Sequence, residues 1–173
     1  LRIGDAKAYL ESAESGMFDV IVLDICDPVE AGPAVQLYTL EFYQYCATKL
    51  NPGGILVTQS GPGGLITHLE CFGAIYQTLK RAFNVAVPYA VTIPSFGSDW
   101  AFTMATNVAV DAKQLKKQDP DATDAAVAAK IDGALRHYDG DSHLHMFNLI
   151  KTVRDGIEGE TRVITIANPV FMY

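Results

Sequence analysis

Two short runs of uninterrupted apolar side chains set the pattern of the chain. In Phe18-Asp19-Val20-Ile21-Val22-Leu23-Asp24-Ile25-Cys26-Asp27-Pro28, four aliphatic residues in a row are entered through one acid and left through two more. Such a run predicts a strand buried on both faces, of the kind found inside a parallel sheet, and Pro28 ends any continuation of the ladder. Ile55-Leu56-Val57-Thr58-Gln59 predicts a second buried strand, preceded by the stop Asn51-Pro52-Gly53-Gly54 and followed by the loop Ser60-Gly61-Pro62-Gly63-Gly64.

Between and around these strands the apolar period changes to that of a helix. Lys7 to Glu14 has helical composition and is closed by Ser15-Gly16. Ala34 to Leu50 carries Leu37, Leu40, Phe42, Tyr43, Cys46 and Leu50 at roughly helical spacing, and Leu65, Leu69, Phe72, Ile75 or Tyr76, Leu79 and Phe83 step round one face of a helix reaching Asn84. Tyr89 to Ile93 and Ala101 to Thr106 are two further strands, too close in sequence for a crossover helix, so they are expected to pair as an antiparallel hairpin at one edge. Alternating strands and helices with short turns predict an α/β doubly wound sheet. Leu1 to Ala6 begins without methionine and reads as the tail of a strand, so the chain is expected to be a fragment of a larger fold. After Asp111 the composition changes. Asp119-Pro120-Asp121 leads into an Ala-rich helix with Val127, Ile131, Leu135 and Tyr138 on one face and Thr123 as its cap; a shorter helix around Leu144 to Val153 follows, then a strand from Arg162 to Ile166.

A length of 173 residues, 49% of them hydrophobic, suits one domain with a sizeable core. The net charge of −7, from 20 acids against 13 bases, argues against a nucleic-acid or anionic-membrane surface. It fits cationic partners, and equally an ordinary solubility charge. Cys26, Cys46 and Cys71 show no paired spacing and read as buried, reduced thiols. No apolar run approaches the ~20 residues needed to cross a bilayer and no leader pattern opens the chain, so a soluble, cytoplasmic protein is expected.

The groups that can carry chemistry collect at the strand ends. Asp24 and Asp27, three residues apart across a turn, can aim two carboxylates at one ligand, either a divalent cation or a substrate bearing ammonium groups. A strand exit followed by a plain Asp-Pro turn is the alternative. Asp5 is expected to end an earlier strand at the same edge, unless it is only a helix cap, and Gln59 ends the next one. The glycine loop lacks the spacing of a phosphate cradle and any following Lys-Ser/Thr. His68, His137, His143 and His145 make no HExxH pattern, the His143-x-His145 pair reads as a helix start rather than a metal site, and no Ser or Cys sits in a nucleophile elbow. Tyr38, Phe96 and Trp100 lie in or beside loops at the functional edge and could line an apolar slot, although core packing serves each as well.

These residues resemble the polyamine aminopropyltransferases, the spermidine synthase family. The likeness is carried by Gly4-Asp5-Ala6, by the Phe18 to Pro28 run, by Gly32-Pro33 with Leu37-Tyr38 and Phe42-Tyr43, and by Gly54-Ile55-Leu56-Val57-Thr58-Gln59. Asp27-Pro28-Val29-Glu30-Ala31-Gly32-Pro33, Gln36-Leu37-Tyr38-Thr39, Ser60-Gly61-Pro62-Gly63-Gly64, Thr67-His68 and Ile93-Pro94-Ser95-Phe96 resemble the thermospermine-forming branch of plants and algae. The resemblance covers residues 1 to 107 and weakens beyond. It implies a Rossmann-like, methyltransferase-type sheet. Residues 1–110 would be part of the catalytic domain, and residues 111–173 a helical tail packed on it.

The implied reaction moves an aminopropyl group from decarboxylated S-adenosylmethionine, a co-substrate, to a polyamine such as spermidine or putrescine, with no cofactor and no metal. By the same resemblance Asp24 is the proton acceptor, Asp5 with Ala6 contacts the adenine, Pro33 borders the adenosine, and Asp27 with Gln59 helps hold the amines. Phe96 stands where spermidine synthases usually carry Tyr, which favours a longer acceptor such as spermidine and thermospermine as product. The amino-terminal part of the family's pattern is absent, so residues 1–173 alone are expected neither to bind the nucleotide well nor to fold robustly, with the strand bearing Asp24 left as an unpaired edge. A homo-oligomer fits the family. An S-adenosylmethionine-dependent methyltransferase and a non-catalytic regulatory relative are the rival readings.

Overall fold

A computed structural model describes residues 1–30 and 32–173. Ala31, within the Asp27 to Pro33 loop, lies outside the described residues.

Among the described residues, four strands form one mixed sheet: β1 (Phe18–Leu23), β2 (Leu50–Pro62), β3 (Val85–Ile93) and β4 (Ser98–Thr106), in the spatial order β1-β2-β4-β3. β1 runs parallel to β2, with Val20 opposite Ile55 and Leu23 opposite Thr58. β4 lies antiparallel between β2 and β3, Gln59 facing Phe102 on one side and Tyr89 facing Phe102 on the other. The expected edge hairpin is therefore present. The register slips between Gln59 and Gly61, an extra residue of the kind that re-aims side chains next to a site.

Helix α1 (Ala6–Ser12) precedes β1, α2 (Leu40–Lys49) leads into β2, and α3 (Phe72–Ala82) joins β2 to β3. Leu56, Cys46, Ile75 and Leu79 are fully buried where α2 and α3 cover one face of the sheet. Along β4 the alternation is visible: Ala101, Thr103 and Ala105 are buried on that face, while Trp100, Phe102 and Met104 lie half-buried on the other. α4 (Ala112–Lys116), α5 (Pro120–Ala128), α6 (Gly140–Phe147) and α7 (Lys151–Gly159) follow. Phe147 of α6 packs on Tyr89 at 5.0 Å between centroids, and Val153 and Ile157 of α7 pack against Phe72 and Tyr76. Among the described residues, no helix is long and apolar enough to cross a membrane.

Several expectations are corrected. β1 stands at the edge of the sheet, as expected, but it is not buried on both faces: Val20 and Val22 are 55% and 64% exposed. The helix expected over Ala34 to Leu50 is a 3-10 turn (Val35–Tyr38) and then α2, because Thr39 is extended and its hydroxyl caps α2 by accepting from the Phe42 N–H. α3 starts at Phe72, not Leu65; the preceding residues are turns tied by His68, whose Nδ1 lies 3.0 Å from the Leu65 carbonyl, and Leu65 and Leu69 are exposed.

In the tail, Asp119 rather than Thr123 caps α5, its carboxylate accepting from the Ala122 N–H. α5 ends at Ala128, so Ile131, Leu135 and Tyr138 are not part of it and no apolar face runs through them. Gly133 at φ +89° turns the chain there. Asp139 caps the start of α6 by accepting from the Ser142 N–H, and Asn148 to Ile150 separate α6 from α7, where one helix was expected from about Leu144 to Val153. Arg162 to Ile166 is not a strand: Ile164 bonds Leu40 N–H through its carbonyl and the Thr78 hydroxyl through its N–H, so helix residues take its backbone groups in place of a sheet.

Candidate active site

The carboxyl ends of β1 and β2 open into a cavity of about 380 Å³ lined by Asp24, Ile25, Cys26, Asp27, Gln59, Ile93, Phe96, Trp100 and Phe102. Parallel strands deliver residues to this edge because both run toward it. Asp24 follows β1 directly and is exposed; Asp27 is half-buried. Gln59, only 4% exposed, reaches across from β2 and donates from Nε2 to Asp27 Oδ1 at 2.9 Å.

Gln59 is bonded on both sides of its amide. Its Nε2 also faces the Ile25 carbonyl at 3.1 Å and the Tyr38 hydroxyl at 2.6 Å, while its Oε1 accepts from the Gly61 N–H at 2.9 Å and the Trp100 indole N–H at 3.0 Å. Tyr38 is fully buried and donates to the Cys26 carbonyl at 3.0 Å. Burial, and then the charge of Asp27, push its phenol well above the usual tyrosine range, so it stays a neutral donor. Opposite the carboxylates, Phe96 and Trp100 pack at 4.5 Å between centroids and supply an apolar wall. The arrangement offers two carboxylates at one end of an aromatic-walled slot, which suits a flexible chain carrying ammonium groups.

Asp5 departs from expectation. Residues before it form no strand, and its carboxylate caps α1 by accepting from the Lys7 and Ala8 N–H groups. With Ala6 it lines a different cavity, of about 580 Å³, together with Arg2, Ile3, Gly4 and Tyr9. Pro33 is exposed on the loop after Asp27. The structure thus brings Asp24, Asp27, Gln59, Phe96 and Trp100 together and leaves Asp5, Ala6 and Pro33 outside that cavity. Cys46 and Cys71 are buried and their thiols pushed up to about 12 by burial, whereas Cys26 is exposed, against expectation, because it lies on the loop beyond the sheet. Ile25, Ile93 and Phe102 also line the cavity; for Phe102 the alternation with Trp100 along β4 was an available signal. The backbone carbonyls of Ile25 and Cys26 left none in the sequence.

Residues 1–116 match the Spermine/spermidine synthase domain. The chain belongs to the spermine/spermidine synthase family. Thermospermine synthase ACAULIS5 of Arabidopsis thaliana is 40% identical over 174 residues, covering 100% of this chain and 49% of that protein. Polyamine aminopropyltransferase 2 of Hyperthermus butylicus is 37% identical, covering 99% of this chain and 54% of that one. The chain spans about half the length of the curated relatives it matches. A spermidine synthase solved in complex with the transition-state analogue AdoDATO superposes with a TM-score of 0.72 at 23% identity, over 91% of this chain and 50% of that chain. The Thermotoga maritima spermidine synthase gives 0.69 at 22%, over 90% and 48%. At such identities the likeness concerns the fold, and it places this sheet among those of the spermidine synthases.

Proposed function

We propose that the protein transfers an aminopropyl group from decarboxylated S-adenosylmethionine to a polyamine, with spermidine as acceptor and thermospermine as product. The observation that carries this reading is the meeting of Asp24, Asp27 and an aromatic wall in one cavity at the end of β1. The 40% identity to a thermospermine synthase and the presence of Phe96 support the longer acceptor.

An alkylamine with a pKa near 10 is almost wholly protonated at neutral pH and cannot attack. Asp27 binds the ammonium and Asp24 takes its proton as the nitrogen lone pair closes on the methylene carbon beside the sulfonium. The new C–N bond forms while the C–S bond breaks. Its electron pair returns to sulfur, and 5′-methylthioadenosine leaves as a neutral thioether. Two cationic substrates are drawn together by the carboxylates, and positioning them in line supplies much of the rate. The reaction so written needs no metal. Asp5, Ala6 and Pro33 would face the adenosine end of the donor.

Protein expressed from the complete gene is to be incubated with decarboxylated S-adenosylmethionine and, separately, putrescine and spermidine, with products resolved chromatographically. Methylthioadenosine release with spermidine, lost in Asp24→Asn, is expected. No release with any polyamine overturns the reading and favours the methyltransferase or regulatory alternatives.

A further inference from the structure

The Gln59 carboxamide has no free valence. Its two oxygen lone pairs take the Gly61 and Trp100 N–H groups, and its two amino hydrogens are shared among Asp27, Ile25 and Tyr38. This pattern also fixes which way the amide points. Flipped, its NH2 would face two other donors and its oxygen would face the Asp27 carboxylate, leaving buried groups unpaired at a 4%-exposed position.

The geometry points to Trp100 and Tyr38 as positioning residues that lock the Gln59 amide, so that Gln59 holds Asp27 for the incoming amine instead of binding the amine itself. Trp100 does so from β4 by claiming Oε1. Tyr38, from the turn before α2, does so by accepting one amino hydrogen and passing its own to the Cys26 carbonyl, which closes the network back onto the Asp24 to Asp27 loop. Asp27 is then fixed through Oδ1, and its other oxygen is left for the ammonium. The bulge between Gln59 and Gly61 makes this possible, because it turns the Gly61 N–H toward the same oxygen that Trp100 reaches. Within the proposed reaction, on which this assignment rests, the acceptor site is one carboxylate held by a three-residue relay.

The test is a double-mutant cycle on the full-length protein. Tyr38→Phe keeps its ring and removes only the hydroxyl, whereas Trp100→Phe keeps an aromatic ring in the wall but removes the indole N–H together with part of the ring area. Each is expected to raise the KM of the acceptor amine roughly three- to tenfold, the size of one hydrogen bond, with the KM of the sulfonium donor unchanged. In a Gln59→Met background Tyr38→Phe is expected to add nothing, and Trp100→Phe to add only what its smaller ring costs the cavity wall, less than it costs with Gln59 in place. Additive effects overturn the relay, as does an equal rise in both KM values.

A second readout does not depend on turnover. The indole N–H resonance of Trp100, assigned by its loss in Trp100→Phe, is expected to move and to exchange faster with water in both Gln59→Met and Gln59→Leu. An unmoved resonance overturns the lock even in an active enzyme. A moved resonance in a protein that turns over no polyamine upholds the lock while the proposed reaction fails, so the two failures are distinguishable.

Discussion

The backbone N–H of Met172 donates to the carbonyl of Pro28 at 2.9 Å, and the Met172 side chain lies beside Gly61. The segment after α7 is thereby tied to the residue that follows Asp27, with Val170 and Met172 packed against the main core. One backbone bond contributes about 1 kcal/mol and a half-buried methionine about 1 more. Truncation after Phe171 is expected to loosen the Asp27 loop and raise the acceptor KM roughly tenfold, the melting temperature falling by only a few degrees. Steady-state kinetics with the amine varied would show it; an unchanged KM would mean that the loop holds its shape without the tail.

Asp27→Asn keeps the shape of the side chain and removes its charge. The amine then loses a charge-assisted bond worth about 1.5–3 kcal/mol, and the Gln59 N–H loses its anionic acceptor. The acceptor KM should rise about 10- to 100-fold, while the fold, followed by circular dichroism, stays intact. Full aminopropyl transfer at an unchanged acceptor KM in Asp27→Asn would show that the amine does not depend on this second carboxylate.

The pairing of Asp27 with Gln59 was legible because both stand at the ends of apolar runs, and strands that run parallel deliver their ends to one edge. β1, β2 and the β3–β4 hairpin were legible for the same local reason. Tyr38 was only half legible: a buried aromatic beside a helix looks like core, and nothing local says that its hydroxyl meets Gln59, 21 residues away. The splits at Thr39 and Asn148 escaped because a side-chain cap overrode an apolar period that ran through them. Asp5 read as a strand end and proved to be a cap, since an Asp before a helix fits both roles. The path of residues 160–172 depends on partners in α2, α3 and the Pro28 loop, contacts that no window of sequence contains.

Gly61 links stability to the site. Its φ of +82° is unfavourable for any other residue, and a Cβ there would collide with the sulfur of Cys71, itself fully buried. Gly61→Ala is expected to cost about 2–4 kcal/mol, from strain plus overpacking. It would also turn the N–H away from Gln59 Oε1. Denaturant unfolding checks the first effect. Gly61→Ala combined with Cys71→Ala should recover the overpacking part and leave the strain, and no recovery would show that the collision was relieved elsewhere.

Glu158 on α7 joins that helix to α3, accepting from the Tyr76 hydroxyl at 2.6 Å and from Lys80 at 2.9 Å. Burial pushes its carboxyl up, but the Tyr76 and Lys80 bonds outweigh that and hold it below the usual glutamate range. A carboxyl lowered by folding contributes stability that is fully present above its unfolded pKa and is lost as pH falls through its folded one. The loss therefore falls on the acid side of ~4.3, the ordinary glutamate value. Because the pair is 38% and 53% exposed, the contribution is discounted to about 1 kcal/mol. Glu158→Gln is expected to lower stability by about that much at pH 7, with the difference shrinking as pH falls toward 3. Unfolding free energies measured across pH 3 to 7 decide it. A difference that persists unchanged at pH 3 would mean that Glu158 acts through packing and neutral hydrogen bonds, and that its charge contributes nothing to the α3–α7 contact.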